Sequence, residues 1–141
     1  MPIFLDSNIF LYAVGTDHPL RAPCGRILQA VAEGHIDATT NAEAVQEVLH
    51  VLRRKGRHSD ALLVARRVSL IFPDLLPVTQ MDIVRAIDIL AADPGLPTRD
   101  AVHVATMLGA GISQIASADQ DFDRVDGIMR LDPVNFPWFD I

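Results

Sequence analysis

Cysteine is almost missing from these 141 residues. Cys24 stands alone, which excludes an intramolecular disulfide and any zinc site built on several thiolates, and fits a reducing compartment. Bases are outnumbered by acids, 12 against 18, so no global field draws nucleic acid onto the surface, which argues against a non-specific nucleic-acid binder. An enzyme that meets phosphate through cations held by carboxylates is not excluded, because such a site is locally electropositive. No G-x-S-x-G elbow is present, so a serine hydrolase is not supported. The first apolar run is short, is interrupted by Asp6 and has no basic segment ahead of it, so it reads as neither signal peptide nor membrane helix. A cytoplasmic protein without membrane contact is the expectation. With 50% hydrophobic residues and only 6% aromatics, the chain is still large enough to bury a core without staples, and reads as one domain over residues 1–141.

What is present is an alternation of short β-like runs and longer helical ones. Residues 2–6 read as a strand, followed by a short helix from Asn8 and a longer one from about Pro19 to Ala32, ending near Gly34. Val45, Val48, Leu49 and Leu52 then form one apolar stripe at helical spacing, with Thr40 or Asn41 as cap and Gly56 as stop. Residues 59–72 repeat the helical pattern, Pro77–Val78 is a brief strand or extended link, and 80–92 is helical until Asp93-Pro94-Gly95. A further helix starts at Pro97-Thr98-Arg99-Asp100, with Thr98 as the expected cap, and ends at Gly109 and Gly111. Ile112–Ser117 reads as a strand and 128–132 as a last short one; no internal repeat or linker interrupts the series. Strands alternating with helices imply a parallel sheet covered on both faces, with ligands at the carboxyl ends of its strands.

Four acids are set into this frame: Asp6, Glu47, Asp100 and Asp119. Each also has a purely structural use. Asp6 and Asp119 fit as helix caps, Asp100 complements a helix dipole, and Glu47 at the edge of its apolar stripe fits as a solvated glutamate. Taken together, in this order and at strand ends and helix starts, they suggest an assembled metal site.

The segments FLDSNIFLYA, TTNAEAVQEVLHVL, LPTRDAVHVATML, IASADQDFDRVDGI and RLDPVNF resemble, in order and over nearly the whole chain, the successive blocks of the PIN domain, and in particular its VapC-type toxins of bacterial toxin–antitoxin pairs. The resemblance implies a three-layer α/β/α PIN-like domain with a central, mostly parallel sheet of four to five strands. It also implies an endoribonuclease using Mg²⁺, or Mn²⁺, at four carboxylates that fall on Asp6, Glu47, Asp100 and Asp119. Asn8 matches the polar residue after the first acid and Ser117 the hydroxyl residue before the last; Asp121 is a second-tier acid, and Glu43 a rival that the following Val-Leu makes weaker than Glu47. Asp6, Asp100 and Asp119 are expected as ligands, Glu47 as outer ligand or water-orienting base, and Asn8 and Ser117 as hydrogen-bonding supports. The family further implies a homodimer held inactive by a small antitoxin that contacts the helices of residues 41–72, and an RNA substrate.

Of the remaining residues, Arg53, Arg54, Lys55 and Arg57 are candidates for RNA phosphates, or a solvated helix end. His103 shares a helix with Asp100, but a packing histidine is the expected use, and Trp138-Phe139 is expected to pack rather than to stack a base. Phosphatases of the haloacid-dehalogenase type and receiver domains also place an Asp at a strand end. Both resemble families that need a later lysine, whereas Lys55 is the only one here, and Asn8 stands where a DxD pair needs its second acid. A non-catalytic PIN-like scaffold binding RNA or protein is the remaining alternative; four gathered carboxylates argue against it, because unpaired buried charge costs stability.

Overall fold

Strand β1 (Ile3–Leu5) is buried on both faces, as a central strand of a parallel sheet must be. The computed structural model describes residues 1–138. After β1 come helices α1 (Ser7–Ala13) and α2 (Arg21–Ala32), the two-residue strand β2 (Ala38–Thr39), and helices α3 (Ala42–Arg54), α4 (His58–Ile71), α5 (Gln80–Ala92) and α6 (Thr98–Gly109). Strand β3 (Gln114–Ala116), a 3₁₀ turn (Gln120–Arg124) and strand β4 (Met129–Leu131) close the series.

The four strands are all parallel, in the order β2-β1-β3-β4. Side-chain alternation along β1 divides the core. Ile3 and Leu5, with Ala116 and Leu131, face a layer made by α1 to α4, while Phe4 and Ile115 face α6 and Phe122 on the opposite side. Helix α5 packs on α6 through Ala86, Ala101 and Ala105, small residues that let the two axes approach. The result is an α/β/α sandwich. The chain leaves β1 toward β2 on one side and returns to β3 on the other, so the strand order reverses beside β1. Crevices for ligands form at such a reversal, outside the carboxyl ends of the strands.

Local chemistry explains most boundaries. Asn41, not Thr40, caps α3, its side chain accepting from the Ala44 amide at 2.8 Å, and α5 starts in a reciprocal cap between Thr79 and Asp82. Gly56 stops α3 with φ +73°, a conformation that a Cβ would strain.

One expectation fails, one alternative is decided, and one element is new. Thr98 does not cap α6: Pro97 occupies the cap position, no side chain bonds to that end, and Thr98 is the first helical residue. Of the two readings of Pro77–Val78, a brief strand or an extended link, the link holds. A single parallel bridge joins Asn41 to Leu76 instead, and Pro77 has no N–H with which to extend it. Strand β2 was not anticipated, because two residues of only partly buried Ala-Thr carry no alternating pattern to read. Among the described residues no helix is long and apolar enough to cross a membrane. Trp138 packs edge-on to Phe136 with centroids 4.8 Å apart, and the Arg26 guanidinium lies 5.1 Å from its ring; Phe139 lies outside the described residues.

Candidate active site

Asp6 follows β1 directly and begins α1, so one carboxylate serves both the turn and the crevice. Its Oδ1 accepts from the Ser7 backbone amide at 2.8 Å, while Oδ2 accepts from Ser117 Oγ at 2.6 Å and from the Asn8 side-chain Nδ2 at 3.1 Å. Ser117, just past β3, also receives an Asn8 N–H at 3.1 Å and the Asp119 amide at 3.0 Å. Asn8 and Ser117 therefore tie the ends of the two central strands together around Asp6. The expected supporting residues are in contact with the expected acid.

The four acids form two adjoining groups. Asp6 and Glu47 cluster with His103, whereas Asp100 and Asp119 cluster with Asp121, each group holding its ligand atoms within 4.8 Å of one another. Glu43 joins neither group. Glu47, the sixth residue of α3, accepts from Ser7 Oγ through Oε2 and from Arg99 at 3.1 Å through Oε1. Asp100 lies in the first turn of α6, and its Oδ2 is buried without a hydrogen-bond partner. Asp119 accepts from the Asp121 amide at 2.9 Å and so starts the 3₁₀ turn that positions Asp121.

Electrostatics separates the acids. Burial raises the Asp6 carboxyl above its ordinary range, partly opposed by His103 and the Ser117 hydrogen bond. Asp100 is pushed up to about 8, by burial first and then by the charges of Asp6, Asp119 and Glu47. Glu47 behaves oppositely. Burial pushes it up, but the contacts from His103, Ser7 and Arg99 outweigh that and hold it down at about 2. Without a cation, then, one member of the site retains a proton and another stays ionised.

This arrangement fits a divalent cation. The Asp100 group offers only oxygen donors, the type that hard ions take, and contains a buried carboxylate oxygen with no partner. His103 is a different kind of neighbour. The Asn41 amide donates to its Nδ1 at 3.0 Å, which places the proton on Nε2, 3.7 Å from Asp6 and 3.9 Å from Glu47. In that tautomer it is a donor aimed at carboxylates rather than a ligand. The second N–H of Asn41 goes to Thr106 Oγ1 at 2.9 Å and its oxygen caps α3, so one amide fixes both the helix carrying Glu47 and the orientation of His103.

Sequence reading placed His103 in the packing, and it does pack, fully buried with its ring centroid 5.4 Å from that of Phe4. It also faces the acids. The signal was its position three residues after Asp100, which puts both on one helix face. Ser7 and Arg99, neighbours of expected acids, carried no signal of their own, and the role of Asn41 beyond capping required the tertiary contact. The basic residues Arg53, Arg54, Lys55 and Arg57 lie at the far end of α3 and do not touch the carboxylates; Arg57 is held by Asp60 at 2.9 Å and by the Val14 carbonyl at 3.0 Å.

Residues 3–128 match the PIN domain. The chain belongs to the PIN-domain family. Among relatives of this PIN domain, ribonuclease VapC7 of Mycobacterium tuberculosis is 34% identical over 135 residues, which span 93% of this chain and 91% of that protein. Two solved structures share its fold. VapC20 of Mycobacterium tuberculosis, described as a toxin cleaving the sarcin–ricin loop, aligns with a TM-score of 0.72 at 20% identity, over 86% of this chain and 92% of its own. A toxin–antitoxin complex from Klebsiella pneumoniae aligns with a TM-score of 0.66 at 16% identity, over 93% of this PIN domain and 97% of that chain.

Proposed function

We propose that this PIN domain is a metal-dependent endoribonuclease and the toxin of a toxin–antitoxin pair, cleaving RNA phosphodiester bonds by attack of water. The observation that carries the reading is the buried, unpartnered Oδ2 of Asp100 among acids from three other parts of the chain. A folded protein tolerates such a group poorly unless a cation satisfies it. A non-catalytic scaffold has no use for it.

Asp6, Asp100 and Asp119 are the residues that would hold Mg²⁺, or Mn²⁺, with Asp121 at the margin. The cation, when bound, supplies Lewis acidity toward phosphate and a water of lowered pKa. Asp100 must give up its proton for that binding, which the approach of positive charge favours. Asn8 and Ser117 hold Asp6 in one orientation through the contacts already described. Glu47, held ionised at about 2, is too weak a base to take a proton from water at neutral pH and serves as an outer ligand and fixed negative charge. His103 and Arg99 keep it there.

Partners follow from the helices opposite α6. Val45 and Leu49 on α3 line an apolar groove with Leu62, Ala65 and Leu70 on α4, a cavity of about 550 Å³ in which Leu70 is 82% exposed. A small antitoxin laying an apolar face into this groove is the expected occupant, with a basic side chain directed to the carboxylates. Homodimerisation and residence in the cytoplasm belong to the same reading.

The test is incubation of the purified protein with total RNA and Mg²⁺ or Mn²⁺, beside an EDTA control and Asp6→Asn, with mapping of new 5′ and 3′ ends. Discrete cuts lost in both controls are expected. Their absence, from folded protein that binds metal and is free of antitoxin, would move the reading to the non-catalytic scaffold.

A further inference from the structure

A second cavity, of about 310 Å³, adjoins the acids and is lined by Asn8, Leu11, Tyr12, Thr16, His18 and Lys55. Asn8 is the wall it shares with the active site, since its amide is bonded to Asp6 and Ser117. Tyr12 and His18 stand ring against ring, with centroids 4.8 Å apart and planes 31° from parallel. Tyr12 is anchored in the core and His18 is exposed, its ring pinned by the Leu20 amide, which donates to Nδ1 at 3.0 Å. Aromatic surface is scarce in this chain, and here it is partly open to solvent and, through Asn8, one residue removed from Asp6.

Beyond the pair stands Lys55, which also lines an adjoining cavity of about 250 Å³ with Val51 and Arg54. Among the described residues neither Lys55 nor Arg54 makes an ion pair, whereas Arg57 and Arg124 are bound to acids. In a chain of net charge −6, these two cations lining the cavities away from the carboxylates are left unneutralised and free for an anion.

We propose that this cavity is a nucleotide subsite for single-stranded RNA. The base of a residue flanking the scissile phosphate stacks against the Tyr12–His18 pair, its phosphate meets Lys55, and the strand continues over Lys55 toward Arg54. Every base offers a π face, so stacking there gives grip without demanding one sequence, and it requires an unpaired base. The subsite would therefore direct the enzyme to loops and single strands. The inference rests on the ribonuclease reading, and its test separates the two.

Steady-state cleavage of an RNA fragment containing a mapped cut is compared for the wild type, His18→Ala, His18→Phe and Lys55→Gln. His18→Ala is expected to raise KM about tenfold and leave kcat within about twofold, with His18→Phe restoring KM, as loss of one stacking face predicts. Lys55→Gln should reduce the slope of log affinity against log salt by about 0.7, the signature of one phosphate contact on a single strand. Unchanged KM and salt slope in an enzyme that still cleaves would overturn the subsite and leave the ribonuclease reading intact. A second arm needs no cleavage: a short single-stranded RNA bearing 4-thiouridine is irradiated with the EDTA-treated protein and the attached peptide is sequenced. Attachment at Tyr12 or His18 supports the subsite even if no cutting is ever seen, while attachment only elsewhere, or no RNA bound, overturns it.

Discussion

Asp100 is where the energetics of a single side chain say most about the site. Its carboxyl, ordinarily near 3.8, is raised to about 8, so the folded protein binds this proton more tightly than the unfolded chain does. The sign follows from linkage. Below pH 3.8 both states are protonated and the group costs nothing; as pH rises toward 8 the unfolded chain ionises first and the metal-free fold loses stability. Asp100→Asn should therefore raise the melting temperature of the EDTA-treated protein by about 5 °C at pH 8, a gain that shrinks toward pH 4. Thermal melts across that range check it; a gain independent of pH would mean that the effect is not electrostatic. The same variant should lose metal-dependent cleavage, because the oxygen that needs a cation has been replaced. Asn41 makes a second prediction. Asn41→Ala removes the cap of α3 and leaves His103 Nδ1 and Thr106 without their donor, which should cost about 2–4 kcal/mol in urea denaturation. Asn41→Asp keeps the cap but not the donors, and should recover about 1 kcal/mol of that at most.

Among the elements, α3 couples the core to the chemistry. Its inward face, Ala44, Val48 and Leu52, is buried against the sheet and α4, and the same helix carries Glu47 at the edge of that face. Leu52→Ala should cost about 2–5 kcal/mol by cavity formation, read from denaturant midpoints at unchanged m-value. Helix α6 is placed differently. Its start has no side-chain cap, and Asp100 in the first turn supplies the negative charge that such an end favours. One carboxylate is thus assigned to helix electrostatics and to the acid cluster together, which is why a sequence reading could not choose between the two uses of Asp100.

At the scale of the whole molecule, a cation would link residues from both central strands and from helices on both faces of the sheet. Binding should then stabilise the entire fold. Saturating Mg²⁺ or Mn²⁺, at about a hundred times its Kd, is expected to raise the melting temperature by about 5–10 °C, with EDTA reversing the shift and Asp100→Asn abolishing it. Affinity should increase from pH 6 to pH 8, as Asp100 releases its proton across that range. Calorimetric titration at several pH values would show it as proton release, and pH-independent binding would place the cation away from Asp100.

The element order was legible because helices and strands are announced by local pattern: the stripe of α3, the apolar runs of β1 and β3, and the glycine at position 56 all act over a few residues. Asp6, Glu47, Asp100 and Asp119 were legible as candidates for a related reason, since each sits at a fixed offset from such an element. Strand β2 was not, because a two-residue strand exists only through its pairing with β1. The division of the acids into two groups, the alignment of His103 by Asn41, and the opposite shifts of Asp100 and Glu47 were decided by tertiary structure alone. Burial and charge proximity are properties of space, and the groups that set them come from segments far apart in the chain.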